Sequence, residues 1–187
     1  MLSSFVIRRE ARGRPFLGFQ LEVPPELERF DGPVVTCREL RPDGRLAGEL
    51  EVSVFAAALI IDRDGILADK ACEVLGRQIG ESSQIDESDE SGVASAPAVA
   101  VVLPGAAGFR ADTVQRTALP YVHVFALAAD AIVDGGVLIT IRSAAPDWPA
   151  AEHVLRSLRL LTRGGQIATS AEVDAEPLLP LVVPRRP

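Results

Sequence analysis

Histidine and cysteine side chains are the commonest zinc ligands in proteins, and this chain has only two residues of each type. A zinc site draws on three or four ligands, usually with a local pair separated by about two to five residues. His123, His153, Cys37 and Cys72 are far apart and form no such pair. The sequence therefore predicts no metal and no cofactor. It favours a hydrogen-bonded strand position for His123 and a surface helix position for His153.

Short motifs for ion binding or catalysis are incomplete in this chain. The segment Asp62-Arg63-Asp64-Gly65 begins like a calcium loop, but its glycine comes before a third oxygen ligand, so a turn is favoured. The segment Gly105-Ala-Ala-Gly108 lacks the Lys-Ser/Thr ending of a phosphate-binding loop. The GxSxG pattern of a serine hydrolase is absent from the sequence. We therefore expect a protein that is not an enzyme.

Trp148 is the only tryptophan, and it falls at the first turn of the last predicted helix. In one interpretation it is exposed and anchors a protein partner, as tryptophan often does at interfaces. In the other it packs the start of the helix onto the sheet. The preference of tryptophan for burial favours packing, and Trp148 is retained as a candidate for partner contact.

The C-terminal segment, residues 166–187, combines prolines with apolar residues and predicts a flexible tail. Pro177 and Pro180 have the PxxP spacing of a polyproline ligand, and Arg185 and Arg186 follow closely. Such a tail either docks on a protein surface or is a solvated end without a partner. The candidate contact residues are Leu178, Leu179, Leu181 and Val182.

The composition predicts an acidic folded domain. A chain of 187 residues with 48% hydrophobic residues can form one domain with a real core. The formal net charge of -7 argues against nucleic acid as a partner, because nucleic-acid binding needs a basic surface. The N-terminal residues lack the apolar run of a signal peptide, and no segment is long enough to span a bilayer. We therefore expect a cytoplasmic protein without membrane insertion.

Alternating apolar and polar residues predict a series of strands joined by tight turns. Asp43-Gly44 and Asp134-Gly135-Gly136 are typical of hairpin turns. Tyr121–Ala128 is almost wholly apolar, which predicts a central strand. The other predicted strands are Phe16–Val23, Val34–Leu40, Gly48–Leu59, Val99–Leu103, Phe109–Arg116 and Val137–Arg142.

Two helices complete the predicted domain. The first runs from Ile66 to Ile79 and ends at Gly80. The second is capped by Asp147, has Pro149 in its first turn and ends at Gly164-Gly165. Its predicted apolar stripe consists of Ala151, Val154, Leu155, Leu158 and Leu161. Consecutive hairpins favour an α+β fold, in which two main helices pack against an antiparallel sheet.

The predicted organisation of the chain has three parts. Residues 1–15 form an N-terminal extension, residues 16–165 form the α+β domain, and residues 166–187 form the Pro-rich tail. Within the domain, residues 81–96 are acidic and rich in serine, which predicts a flexible loop. This loop is either a docking segment for a basic partner or a solvated linker, and the usual behaviour of charge runs favours the linker.

The order of these elements resembles the PsbP-like superfamily over Phe16 to Leu161. The resemblance is carried at the start by the strand Phe16–Val23 followed by proline. At the end it is carried by the strand pair around Asp134-Gly135-Gly136, the Asp147-Trp148 start, and the helix segment ending Ser157-Leu158-Arg159. The superfamily includes photosystem PsbP proteins, a nuclear Ran-binding factor, DcrB-like and LpqN-like lipoproteins and adaptor chaperones of type VI secretion. The resemblance implies a bacterial cytoplasmic adaptor that binds protein, and it transfers no functional residue.

Three functions remain open from the sequence. The first is a non-enzymatic adaptor or chaperone that holds a protein partner, or a second copy of itself in a homodimer, on an apolar sheet face. Tyr121, His123 and Phe125 share one face of their strand and are its candidates. The second is a small-ligand-binding domain or minor enzyme with a pocket near His123, in which Asp130 or Asp134 is the acid. The third is a structural subunit that docks into a larger assembly through its tail.

Overall fold

The computed structural model of the chain describes residues 3–11, 14–32, 34–82, 97–130, 132–161 and 167. These residues form two antiparallel sheets and two helices, so the predicted α+β class is confirmed. In chain order the elements are β1 Ser3–Ala11, β2 Arg14–Val23, β3 Glu28–Phe30, β4 Val35–Leu40, β5 Leu46–Ala56, α1 Arg63–Ser82, β6 Val99–Leu103, β7 Ala106–Val114, β8 Tyr121–Ala128, β9 Gly135–Ser143, α2 Pro149–Ser157 and β10 Arg159–Leu161.

The larger sheet has seven strands in the order β3-β4-β5-β9-β8-β7-β6, and every neighbouring pair is antiparallel. The predicted hairpin between β4 and β5 is present. Its Gly44 has a φ of 79°, a left-handed conformation that glycine adopts without steric cost. β8 lies between β7 and β9, and Val122 to Ala128 are buried along it, so the prediction of a central strand is confirmed.

One helix packs on each face of the larger sheet. Side chains alternate between the two faces along each strand, so most strands contribute to both cores. On one face, α1 packs over β7 and β8 and buries Val122, Val124 and Ala126 beneath Leu67 and Leu75. We call this the α1 face. On the other face, α2 and β2 close a second core that contains residues of eight strands and of α2. Its largest buried side chains include Phe19, Phe125, Leu50, Ile139, Ile141 and Leu155.

The smaller sheet has the order β1-β2-β10 and lies next to α2. β10 pairs with β2 so that Leu160 stands opposite Phe19. The end of α2 is linked to β2 by the backbone N–H of Glu22, which donates to the Ser157 hydroxyl at 2.8 Å. The sequence analysis predicted β2 but not β1 or β10.

Both helices begin and end at residues other than those predicted. α1 continues through Gly80 to Ser82, and its start is capped by Asp62, whose carboxylate accepts the Gly65 N–H at 3.0 Å. Asp147 does not cap α2, because Trp148 is the N-cap residue and makes no side-chain capping bond. α2 also ends at Ser157 rather than Gly164, since Leu158 is extended and Leu161 belongs to β10.

Candidate functional site

Tyr121, His123 and Phe125 share one face of β8, and α2 and β2 close that face. His123 and Phe125 are 1% and 0% exposed, and Tyr121 is half-buried. Phe125 belongs to the same core cluster as Phe19 of β2 and Leu155 of α2. The structure places His123 and Phe125 inside the core rather than on an open sheet face, so a partner does not reach them in this conformation.

His123 is the buried end of a partly buried chain of polar contacts between β7 and β8. Its Nδ1 lies 3.0 Å from Oδ1 of Asp112, and Arg110 donates from Nε to Oδ2 of the same carboxylate at 2.9 Å. Asp112 stands directly opposite His123 in the strand register, so the pairing follows from the sheet. The Nε2 atom of His123 is buried and has no hydrogen-bond partner in the described part of the chain.

This chain of contacts does not form an accessible acid–base site. A general base must come within about 3 Å of the proton it removes, and solvent hardly reaches His123. The acids proposed from the sequence are not its partners either. Asp130 is an exposed residue that pairs with Arg63, and Asp134 lies at the β8–β9 connection. The geometry therefore favours a structural role for Arg110, Asp112 and His123, which fix β7 against β8.

Trp148 is buried and joins the start of α2 to the larger sheet. Its indole ring lies against Gly48 of β5, where a Cβ atom would come within 2.6 Å of the ring. Its Nε1 donates a hydrogen bond to the carboxylate of Glu39 in β4. Trp148 is 5% exposed, which agrees with the packing interpretation and leaves little indole surface for a partner.

The remaining sequence candidates divide between the surface and the undescribed tail. Leu178, Leu179, Leu181 and Val182 lie outside the described residues. His153 is exposed on α2, as expected, with its Nε2 3.7 Å from the Glu22 carboxylate. Within the described ranges, no group of three or more His, Cys, Asp or Glu side chains could hold a metal ion. Cys37 and Cys72 are both free thiols.

Burial raises the pKa of the Cys37 thiol to about 11, above its ordinary value of 9.0. Because the folded-state pKa is the higher one, its stabilising contribution is complete below pH 9 and is lost as the pH rises toward 11. Each pKa unit corresponds to about 1.4 kcal/mol. We expect the free energy of unfolding to fall more steeply between these pH values for the natural protein than for Cys37→Ala, measured by urea denaturation. Parallel pH profiles for the two proteins would contradict the assignment.

In the described part of the chain, α1 covers only one half of its face of the larger sheet. It packs on β7 and β8, and Phe55 and Leu138 also pack against the core beneath it; the remaining side chains of β4, β5 and β9 on this face form what we call the open half-face. Its centre is an ion-pair row in which Glu49 lies between Arg38 at 2.5 Å and Arg142 at 2.6 Å. Arg142 also lies 3.7 Å from Glu51. The open half-face is thus polar, with its charges of both signs paired across neighbouring strands.

Among the residues whose exposure the structure describes, the most exposed large apolar ones lie at the end of β5, in the connection to α1. We call residues 57–62 the isoleucine loop, because Ile60 and Ile61 are 77% and 83% exposed. Val133, in the neighbouring β8–β9 connection, is 48% exposed. Scattered single apolar residues are normal on protein surfaces, but adjacent ones with this exposure resemble the apolar centre of an interface.

Backbone hydrogen bonds to the β8–β9 connection and the buried Leu59 side chain hold the isoleucine loop in place. The Leu59 N–H donates to the Val133 carbonyl oxygen at 2.8 Å, and the Ala57 N–H donates to the Asp134 carbonyl oxygen at 3.3 Å. The Leu59 side chain is 3% exposed and belongs to the core beneath α1. A loop that is already ordered loses little conformational entropy when a partner binds.

Acidic side chains surround the isoleucine loop. Asp62 ends the loop, Asp64 follows in the first turn of α1, and Asp130 lies in the adjoining β8–β9 connection. All three are exposed. Arg63 is the neighbouring cation, and its guanidinium is engaged at 2.7 Å by both the Asp130 carboxylate and the Ala128 carbonyl oxygen. The surface therefore combines an apolar centre with a negatively charged rim.

A depression of about 400 Å³ lies elsewhere, at the turn between β2 and β3. It is lined by Val23, Pro24, Pro25, Leu27, Arg29 and Asp31. Arg29 and Asp31 form an ion pair with each other at 2.5 Å. The depression contains none of the residues that the sequence analysis selected.

Comparison with known proteins gives no relative for this arrangement, since no family model, characterised protein or solved structure matches the chain. Among the helices of the described ranges, none has the length and apolar character needed to cross a membrane. The assignment of the candidate site therefore has the structure of the isoleucine loop and the open half-face as its only support.

Proposed function

We propose that this chain is a non-enzymatic protein-binding module, an adaptor or chaperone that holds a protein partner at the isoleucine loop. The observation that carries the proposal is the exposure of Ile60 and Ile61 on a loop that backbone hydrogen bonds from Ala57 and Leu59 hold against the β8–β9 connection. Exposing this apolar surface to water is unfavourable, and burying it against a partner recovers about 25 cal/mol for each Å².

The chemistry of the rim specifies the partner further. A partner that fits the loop has an apolar pocket for the two isoleucines and basic residues around it, facing Asp62, Asp64 and Asp130. An anionic lipid surface would be repelled by the same carboxylates. Complementary charges at the rim increase the association rate and the specificity, while the apolar centre supplies most of the affinity.

The open half-face is the sheet surface to which the partner extends. β5 contributes Glu49 and Glu51 to this face and then leads directly into the isoleucine loop. The exposed Phe30 of β3 is stacked under the Arg38 guanidinium, 5.3 Å from its ring centroid, and adds an aromatic contact. The proposed contact surface thus includes a sheet face, the kind of surface that the sequence predicted. It is the opposite face from that of Tyr121, His123 and Phe125.

The proposed fold family, cellular location and pathway come from the PsbP-like resemblance. We propose a PsbP-like fold and a cytoplasmic role in bacterial protein secretion, comparable to the adaptor members of that superfamily. The antiparallel sheet with its helices supports this assignment at the level of fold class. Fold likeness is weak support for function, so the test concerns the loop itself.

The test is a pull-down of the tagged full-length protein from its native host, with recovered proteins identified by mass spectrometry. We compare the natural sequence with Ile60→Ser/Ile61→Ser and with Val114→Ser, a control in which the replaced side chain is 45% exposed on β7 at the opposite end of the larger sheet. Hot-spot residues contribute about 2 kcal/mol or more each, so the double variant should recover at least tenfold less partner. The control should recover the natural amount.

Two outcomes would count against this function. Recovery of the same partner by the double variant would remove the isoleucine loop from the interface. A bait that returns alone in every case would remove the adaptor function. A chain ending at Gly165 tests docking through the tail, because loss of the partner from that chain alone would place the contact within residues 166–187.

A further inference from the structure

The isoleucine loop lies near the place where the chain leaves β10. The end of β5, the β8–β9 connection and the β6–β7 turn are all at the same end of the larger sheet. The β6–β7 turn packs against the start of β10, because a Cβ atom on Gly105 would lie 3.0 Å from the Arg159 Cα atom. From β7 to β5 there are three strand spacings, which is about 15 Å.

The C-terminal residues are long enough to cover this distance. Ile167 is the last residue that the structure describes, and it pairs with Leu161 at the end of β10. An extended chain covers about 3.3 Å per residue, so the residues from Ile167 to Leu178 can span about 35 Å. The residues that follow Pro177 are therefore within reach of the isoleucine loop of the same chain.

The side chains of residues 177–186, which we call the tail segment, are complementary to the surface of the loop. The tail segment contains no acidic residue. The three carboxylates of the rim exceed the charge of Arg63 by two negative charges, and the tail segment brings two arginines. Its large apolar side chains match the apolar centre of the loop and are Leu178, Leu179, Leu181, Val182 and Val183.

We propose that the tail segment docks on the isoleucine loop of its own chain and competes there with the protein partner. Its leucines and valines cover Ile60 and Ile61, and Arg185 and Arg186 face the acidic rim. The prolines of the segment restrict its backbone before docking, so less conformational entropy is lost. The structure, in which Ile60 and Ile61 are exposed, represents the state without this contact.

The covalent connection favours this occupant over the same segment of a second copy. A tethered segment acts at an effective concentration of about 1 mM. A contact with a Kd of only about 0.1 mM would then occupy the loop about nine-tenths of the time, and it would lower the apparent affinity of a partner about tenfold. The competition rests on the proposed function, whereas the contact itself does not.

The contact is tested by disulfide trapping in the full-length protein. In a Cys72→Ser background, Val182→Cys is combined either with Ile61→Cys or, as the matched control, with Val102→Cys. Val102 is 45% exposed and lies next to the β6–β7 turn, so an undocked tail meets it at least as often as it meets Ile61. Cys37 is fully buried. Each rate is divided by that of the corresponding single-cysteine protein with a small neutral disulfide, which corrects for thiol reactivity.

We expect the intramolecular disulfide to form at least about tenfold faster at position 61 than at position 102. Arg185→Glu/Arg186→Glu should remove this difference, because it places negative charges against the acidic rim. Equal rates at the two positions, a rate at position 61 that the charge reversal leaves unchanged, or a disulfide-linked dimer in place of the intramolecular bond would overturn the contact.

The competition is tested in the pull-down with Arg185→Glu/Arg186→Glu alone. This protein should recover more partner than the natural sequence, because the loop is then uncovered. Unchanged or reduced recovery would overturn the competition. Trapping needs no partner, so a failure of the contact and a failure of the proposed function give different results.

Discussion

Replacing Trp148 with alanine should lower the free energy of unfolding by about 3–5 kcal/mol, the usual cost of removing a large buried aromatic side chain. Trp148 is 5% exposed and lies at the N-cap of α2, where no side-chain capping bond is made. Its ring therefore supplies the contact that fixes the start of α2. Loss of the ring leaves a cavity over Gly48 and removes the donor to Glu39.

Urea denaturation followed by circular dichroism measures this effect, since the variant lacks the only tryptophan. Trp148→Phe loses the hydrogen bond to the Glu39 carboxylate but keeps an aromatic ring in the core. It should therefore lower the free energy of unfolding by less than the alanine variant does. Leu40→Ala is the control at an exposed position and should change stability by less than about 1 kcal/mol. A Trp148→Ala protein as stable as the Leu40→Ala protein would show that the indole is not a packing residue.

Replacing Gly108 with alanine should destabilise the protein by at least about 3 kcal/mol, at the upper end of the cost of overpacking. Gly108 lies in β7 opposite Leu127 of β8. A Cβ atom there would lie 2.0 Å from the Ala126 carbonyl oxygen and 3.0 Å from the Leu127 Cα atom. Backbone atoms in the middle of a sheet cannot move aside as a flexible side chain can. The register of β7 with β8 should be disturbed.

Gly76→Ala is the matched control for Gly108→Ala. Gly76 is exposed in the interior of α1, and a Cβ atom there would meet nothing within 4 Å. Alanine should stabilise the helix by about 0.5–1 kcal/mol, because glycine loses more backbone entropy on folding. Thermal unfolding of the two variants should therefore shift in opposite directions. A Gly108→Ala protein that unfolds at the natural temperature would contradict the packing between β7 and β8.

Apart from the three-residue β3, the strands of the larger sheet could be predicted because their patterns are local. Along β5, for example, Leu50, Val52 and Val54 alternate with Glu49, Glu51 and Ser53, and the structure places the first set in the core beneath α2. The end of α2 could not be predicted in this way. The sequence after Ser157 has helical periodicity, and α2 ends there where β10 pairs with β2, a contact between distant parts of the chain.

The candidate site was not predicted because exposure depends on tertiary structure. Ile60 and Ile61 continue an apolar run after β5, and adjacent isoleucines in such a run are normally core residues. Asp112 was also missed as the partner of His123, because only the register of β7 with β8 brings them together. The sequence analysis did identify Trp148 as a residue for packing or binding, and the buried ring agrees with packing.

The central claim is that a protein partner contacts the isoleucine loop, and site-specific photo-crosslinking in the native host tests it most directly. A photoreactive amino acid replaces Ile61 in one full-length protein and Val114, which is exposed at the opposite end of the larger sheet, in another, and both are irradiated under the same conditions. We expect a discrete cross-linked partner from position 61 and none from position 114. A partner that co-purifies with both proteins but cross-links only from position 114, or from neither position, would contradict the claim.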